Sequence, residues 1–255
     1  VKQLSVLLIG DVCKDIYHYG NVNRISPEAP VPILDLSHVK ILDGMAANVH
    51  KNLSALGAKV TMVSGNAKSV KTRYIEEKSG HQLLRVDRDK ISDPLALQDI
   101  PEKQYDCVVI SDYNKGTLTY YNIKQIINKF KDVPIFIDTK KPDIGEFDQI
   151  YPKTNVYIKI NSLENKKITS NHKNLIVTEG KNGARYKGVL YSTPEVNVSD
   201  ACGAGDTFLA ALAVYYCAFN DIEIAIRYAN IASSVTVQHL GVYAPTKEEI
   251  DEAIG

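Results

Sequence analysis

Short β-branched or apolar runs recur along the chain, at residues 6–9, 59–63, 107–111, 134–137, 156–160 and 175–177, with helical stretches between them. Such runs lack the polar–apolar alternation of a half-exposed strand. A parallel sheet buries strands in this way, because its crossover helices cover both faces. The helical stretches include 46–56, ended by Gly57, then 120–130, 206–219 and 222–238. This pattern predicts an α/β fold, a three-layer α/β/α sandwich around a mostly parallel sheet. With 255 residues, 44% of them hydrophobic, the chain can fill one sizeable core and needs no second one, so residues 1–255 read as a single domain.

Two stretches break the parallel rhythm. Residues 31–39 are entered through Pro30 and Pro32, and residues 71–86 carry a Lys78-Ser79-Gly80 hairpin turn. Both are assigned to a small β lid drawn from about 12–40 and 71–88. The edges of such a ribbon could pair with a second copy, so a homodimer through the lid is one expected arrangement.

Thirty basic residues balance thirty acidic ones. No global field would draw the chain onto nucleic acid or an anionic membrane, so anion binding must be local. The apolar run at 6–9 is too short to span a bilayer and lacks signal-peptide flanks, which makes the cytoplasm the expected location. Cys13, Cys107, Cys202 and Cys217 form no C-x-x-C pair, which argues against a zinc site or a disulfide framework.

The segment Asp200-Ala201-Cys202-Gly203-Ala204-Gly205-Asp206-Thr207 is a turn of small residues running into a helix that is apolar on nearly every face. That helix belongs inside the protein, so its N-terminus is shielded. The first N–H groups of a helix have no intrahelical partner, and Gly203 and Gly205 let an anion approach the backbone closely. Asp206 would repel a bound phosphate unless it served a purpose. A carboxylate at the mouth of an anion hole can take a proton from an incoming hydroxyl while the hole stabilises a transferring phosphoryl group. The same residues also fit an ordinary helix cap. Neither G-x-x-x-x-G-K-[ST] nor a G-x-G-x-x-G after the first strand is present.

The run from Asp200 to Asp206 resembles the D-x-x-G-A-G-D signature of PfkB-type, ribokinase-like carbohydrate kinases. Further stretches are similar to the heptose 7-phosphate kinase branch. They are Asp11-Val12 to Asp15, Tyr17 to Gly20, Arg24-Ile25-Ser26-Pro27-Glu28-Ala29-Pro30-Val31-Pro32, Gly44-Met45-Ala46-Ala47-Asn48-Val49, Lys71-Thr72-Arg73, Gln82 with Arg85 and Asp87, and Ser111-Asp112-Tyr113 with Lys115-Gly116.

The resemblance implies a ribokinase-like fold, ATP and Mg²⁺, and transfer to a hydroxyl of a sugar or sugar phosphate; in the heptose branch this is the anomeric hydroxyl. Asp206 matches the catalytic base, and Gly203, Ala204 and Gly205 match the anion hole, with Asp200 at the first acidic position. Asn161 and Glu164 match the N-x-x-E element that orders magnesium-bound water. Asp15, Gly44 and Asn48 fall at sugar-binding positions, and Lys71, Arg73, Arg85, Lys115 and Lys140 supply cations for a sugar phosphate. Thr178, Gly180 and Gly183 follow a strand as the ATP loop does, while Asn230 and Ser233, with Ala229, lie on the helix that walls the adenine. Some relatives depend on K⁺, which these residues leave open.

The chain departs from the family in several places. Between Gly65 and Lys71 a strand and a helix are missing, and residues 165–173 shorten a second segment. Met45 stands where the heptose branch has a glycine, and Cys202 sits where a hydroxyl residue is usual, which predicts sensitivity to alkylation. A kinase for another sugar or a nucleoside, and a binding protein that has lost turnover, are therefore carried as alternatives.

Overall fold

The computed structural model describes residues 3–148 and 155–254. The chain starts with β1 (Ser5–Gly10), makes a long antiparallel pair, β2 (Val12–Ile25) and β3 (Pro32–Met45), and turns directly into α1 (Ala46–Ala55). There follow β4 (Lys59–Ser64), the hairpin β5 (Ser69–Glu76) and β6 (Gln82–Arg88), β7 (Cys107–Asp112), α2 (Tyr120–Lys129), β8 (Ile135–Thr139), β9 (Val156–Asn161) and a single turn, α3 (Ser162–Asn165). The last third comprises β10 (Leu175–Thr178), β11 (Ala184–Tyr186), β12 (Val189–Tyr191), α4 (Ala204–Phe219), α5 (Ile222–Thr236) and α6 (Lys247–Ile254).

The main sheet has the order β12-β11-β10-β9-β8-β7-β1-β4. From β10 to β4 every pairing is parallel; β11 and β12 add an antiparallel edge. Alternate residues of each strand feed two separate cores, as a sheet covered on both faces requires. Val6 and Leu8 pack with α4 and α5, whereas Leu7 and Ile9 pack with Ile123, Ile126 and Ile127 of α2. The three-layer α/β/α sandwich read from the sequence is the architecture observed. No helix among the described residues is long and apolar enough to cross a membrane.

The expected shortenings are real gaps in the architecture. β4 ends at Ser64 and β5 begins at Ser69, so the chain leaves the main sheet without a further α/β unit and β4 remains a free edge. The crossover from β9 to β10 contains only the one turn of α3.

The stretches assigned to a lid form a separate sheet, β3-β2-β5-β6. Its register sorts side chains by chemistry. One face carries the rows Leu42–Asp15–Lys71–Asp87 and Lys40–Tyr17–Arg73–Arg85, which are largely polar. The other carries Ile41–Ile16–Thr72–Val86 and Val39–His18–Tyr74–Leu84, which are largely apolar.

Candidate active site

The carboxyl ends of the parallel strands converge on one side of the sheet, where an open α/β sheet forms its binding crevice. Gly203, at φ 83°, takes the left-handed conformation that turns the chain into α4, and no side chain caps that helix. No side chain therefore competes for its first N–H groups. Asp200 shapes the approach, its carboxylate accepting from the backbone N–H of Cys202 (2.9 Å) and of Gly241 (3.0 Å).

Asp206 lies in the first turn of α4 and is buried. Two groups from elsewhere in the fold hold it. Asn48 Nδ2, from α1, donates to Oδ2 (2.8 Å), and the Tyr113 hydroxyl donates to Oδ1 (3.0 Å). At the next residue, Thr207 donates to Asn52 Oδ1 (2.8 Å), so α1 and α4 are joined by side chains at the site. Burial pushes the Asp206 carboxyl up; the Asn48 hydrogen bond opposes this, Asp138 adds to it, and Lys159 and Tyr113 offset it in part, leaving it at about 6.

Lys159 is the buried cation beside this carboxylate. It projects from β9 and donates to Asp138 Oδ2 (2.7 Å) at the end of β8. A Cβ on Gly205 would lie 2.9 Å from its Nζ, so the absence of a side chain there lets the ammonium reach the start of α4. Burial opposes the charge, but Asp138, Asp206 and Glu164 together hold the ammonium above the ordinary lysine range.

The second sheet supplies the other wall. Asp15 on β2 pairs with Arg73 on β5, whose guanidinium lies over the Tyr17 ring at 5.1 Å. Gly44 backs onto Asp15, where a Cβ would fall 2.1 Å from Oδ2. Beside them a cavity of about 240 Å³ is lined by Met45, Lys71, Arg85, Asp87, Asp89, Tyr113, Lys115 and Lys140. Lys71 and Lys140 lie over the Tyr113 ring at 5.4 and 5.0 Å, and Lys140 also pairs with Glu164. Arg85 pairs with Asp87 and Lys115 with Asp89, each at 2.6 Å. A larger hollow of about 850 Å³ opens elsewhere, around Leu4, Asp106, Pro134 and the end of α4, and contains none of these residues.

Of the expected acceptor residues, Asn48 contacts Asp206, Lys71, Arg85, Lys115 and Lys140 line the cavity that shares Tyr113 with it, and Asp15, Gly44 and Arg73 form a neighbouring cluster on the second sheet. The expected nucleotide residues are placed differently. Asn161 and Glu164 form a capping box on α3: Asn161 Oδ1 accepts from the Glu164 N–H (2.9 Å), and Glu164 Oε2 accepts from the Asn161 N–H (2.8 Å). Thr178 ends β10, and Gly180 and Gly183 close the tight turn into β11. Asn230 donates to the Tyr191 carbonyl (2.6 Å) and Ser233 to the Ala204 carbonyl (3.1 Å), so both side chains brace the frame around α4.

Cys202 is half-buried, 4.0 Å from the Tyr17 hydroxyl. Burial holds its thiol above the ordinary range, the direction that disfavours the reactive thiolate.

Sequence reasoning assigned no role to Tyr113, Asp138 or Lys159. One signal was available: a lysine inside the apolar run 156–160 has no solvated face to occupy and must meet a buried partner.

The chain is similar to several known proteins. The "Bifunctional protein HldE" of a Nitratiruptor species is 32% identical over 303 residues, covering 97% of this chain and 64% of that protein. The protein of the same name from Haemophilus influenzae (strain PittEE) is 30% identical over 306 residues, covering 99% of this chain and 64% of the relative. The chain thus spans less than two thirds of these relatives, and both matches run longer than its own 255 residues, in keeping with the internal shortenings. Among solved structures, Arabidopsis thaliana ribokinase complexed with ribose and ATP superposes with a TM-score of 0.70 at 15% identity, covering 99% of both chains. Phosphofructokinase-2 from Escherichia coli gives 0.72 at 15% identity, covering 98% of this chain and 97% of that one. These two show the ribokinase-like fold. The profile of the pfkB family carbohydrate kinases matches residues 81–249, and the chain belongs to that family.

Proposed function

We propose that the chain transfers the γ-phosphoryl group of ATP to a hydroxyl of a sugar phosphate, with heptose 7-phosphate, phosphorylated at its anomeric O1, as the acceptor. The observation that carries this reading is Asp206 itself, a buried carboxylate in the first turn of an uncapped helix, between Lys159 and the cation-lined cavity. At neutral pH a carboxyl titrating at about 6 is mostly ionised and can take the acceptor proton. The acceptor oxygen then bonds to the γ-phosphorus as the bond to ADP breaks. The N-terminus of α4 and the Lys159 ammonium face the charge that develops. Lys71, Arg85, Lys115 and Lys140 are the groups for the acceptor's own phosphate.

Magnesium fits the donors present if it is reached through water. Glu164 offers a hard carboxylate near Lys140 and Lys159, and no group of three or more His, Cys, Asp or Glu among the described residues could hold the ion directly. When bound, Mg²⁺ offsets negative charge on the nucleotide phosphates.

ADP release measured against heptose 7-phosphate, other sugar phosphates, free sugars and nucleosides tests the reading. Phosphorylated sugars are expected to exceed free sugars by roughly 100-fold in kcat/KM, because a free sugar brings no phosphate to engage these cations. Equal turnover of free sugars or nucleosides would favour a kinase of different specificity. ATP binding without turnover on any acceptor would favour a binding protein.

We also propose that a second copy of the chain covers the apolar face of the second sheet. Leu36 and Ile41 are each 59% exposed there, and Leu84 is 55% exposed. Light scattering is expected to give a dimer at micromolar concentration and a monomer after Ile41→Asp with Leu84→Asp. A monomeric wild type would exclude the dimer.

A further inference from the structure

Met45 is the last residue of β3 and leads directly into α1. Its backbone sits at φ 58°, ψ −129°, a conformation open to glycine but strained for any residue with a Cβ. The surroundings enforce it: Met45 is paired with Val12 across β2, and the next N–H, of Ala46, donates to the Asp11 carbonyl (3.0 Å). Glycine would satisfy the same backbone without strain.

The side chain shows what the strain accompanies. The residue is 3% exposed and is the one aliphatic residue lining the 240 Å³ cavity, beside charged residues and Tyr113. Its neighbours on either side along the chain serve the same site, since Gly44 backs onto Asp15 and Asn48 holds Asp206. A long, unbranched thioether at this position adds bulk that a glycine would lack.

We infer that Met45 is a specificity-determining residue that limits acceptor length. A sugar phosphate must place its phosphate among Lys71, Arg85, Lys115 and Lys140 and its reacting hydroxyl at Asp206, and the Met45 side chain shortens the space between them. This rests on the kinase reading above, so the test must separate the two.

The test compares wild type with Met45→Gly, Met45→Ala and Met45→Leu on pentose 5-phosphate, hexose 6-phosphate and heptose 7-phosphate. Both kcat/KM and the calorimetric Kd of each acceptor are measured. Met45→Gly is expected to raise the kcat/KM ratio of heptose 7-phosphate to pentose 5-phosphate by about tenfold, the scale on which a pocket reads a change of a methylene or two. Met45→Ala, which removes the bulk but keeps the strained backbone, should move in the same direction; Met45→Leu should keep the wild-type ratio. A ratio unchanged within twofold in both Gly and Ala variants, or a parallel shift for all acceptors and for ATP, would overturn the inference and leave the kinase reading intact. If the wild type transfers no phosphate, the kinase reading fails and the Kd values decide: a ratio of Kd values that changes in the Gly and Ala variants upholds the size limit, and an unchanged ratio, or no acceptor binding at all, overturns it.

Discussion

Asp206→Asn is expected to lower kcat by roughly 10³-fold, within the range that a positioned general base supplies. The affinities for ATP and acceptor should stay within a few-fold, since the amide is isosteric and can still accept from Asn48. The pH profile follows from the same group. Because burial, opposed by Asn48, leaves the carboxyl at about 6, wild-type kcat should be flat above that pH and fall about tenfold per pH unit below it. The residual activity of the variant should lack this acid limb. A retained limb, or a loss of less than tenfold, would assign the proton to another residue.

The same substitution is expected to stabilise the protein. The folded chain raises this carboxyl from its ordinary 3.8 to about 6, so folding disfavours its charged form. Stability linked to the protonated group is complete below about pH 4 and is lost as the pH rises through about 6. A neutral asparagine does not lose it, so the variant should gain up to about 3 kcal/mol at pH 7 and little at pH 4. Urea titrations at the two pH values check this; equal stability at pH 7 would refute it. An active-site base that costs stability is a common consequence of placing a charge where chemistry needs it.

Lys159→Met is expected to destabilise the fold by about 3–5 kcal/mol, because it leaves Asp138 buried without its cation. The thioether fills most of the lysine's volume, so the loss reports the charge rather than a cavity. The deficit should shrink as the pH falls and the orphaned carboxylate takes up a proton. In any folded fraction, the acid limb of kcat should move above about 6, since Lys159 is one of the groups that lowers the Asp206 pKa. Urea denaturation and the pH profile read the two effects separately. A loss of stability under 1 kcal/mol would mean that water, and not Lys159, solvates Asp138.

The fold was legible where chemistry repeats along the chain. Apolar runs without alternation marked the strands from β1 to β10 of the main sheet, and the Asp200–Thr207 turn ahead of an all-apolar helix marked the site. The missing α/β unit after Gly65 could be read as well, because the flanking motifs stand only a few residues apart. Less visible were β11 and β12, three residues each, and α6, where Ile250 is the only buried residue: elements this short carry too little periodicity to stand out.

Residue order alone was enough for the α/β sandwich, for the stretches that leave it to build a second sheet, and to single out Asp206 as the candidate base, since each is written over a few turns or strands. Packing was needed to bring Tyr113, Asn48 and Lys159, from three different parts of the chain, to that carboxylate, and to give Asn161, Glu164, Asn230 and Ser233 partners within the protein. Packing also set Met45, with its strained backbone, in a cavity wall. The reason is physical: a carboxyl at about 6 and a buried ammonium are set by burial and by charges far apart in the chain, and those distances do not exist until the layers pack.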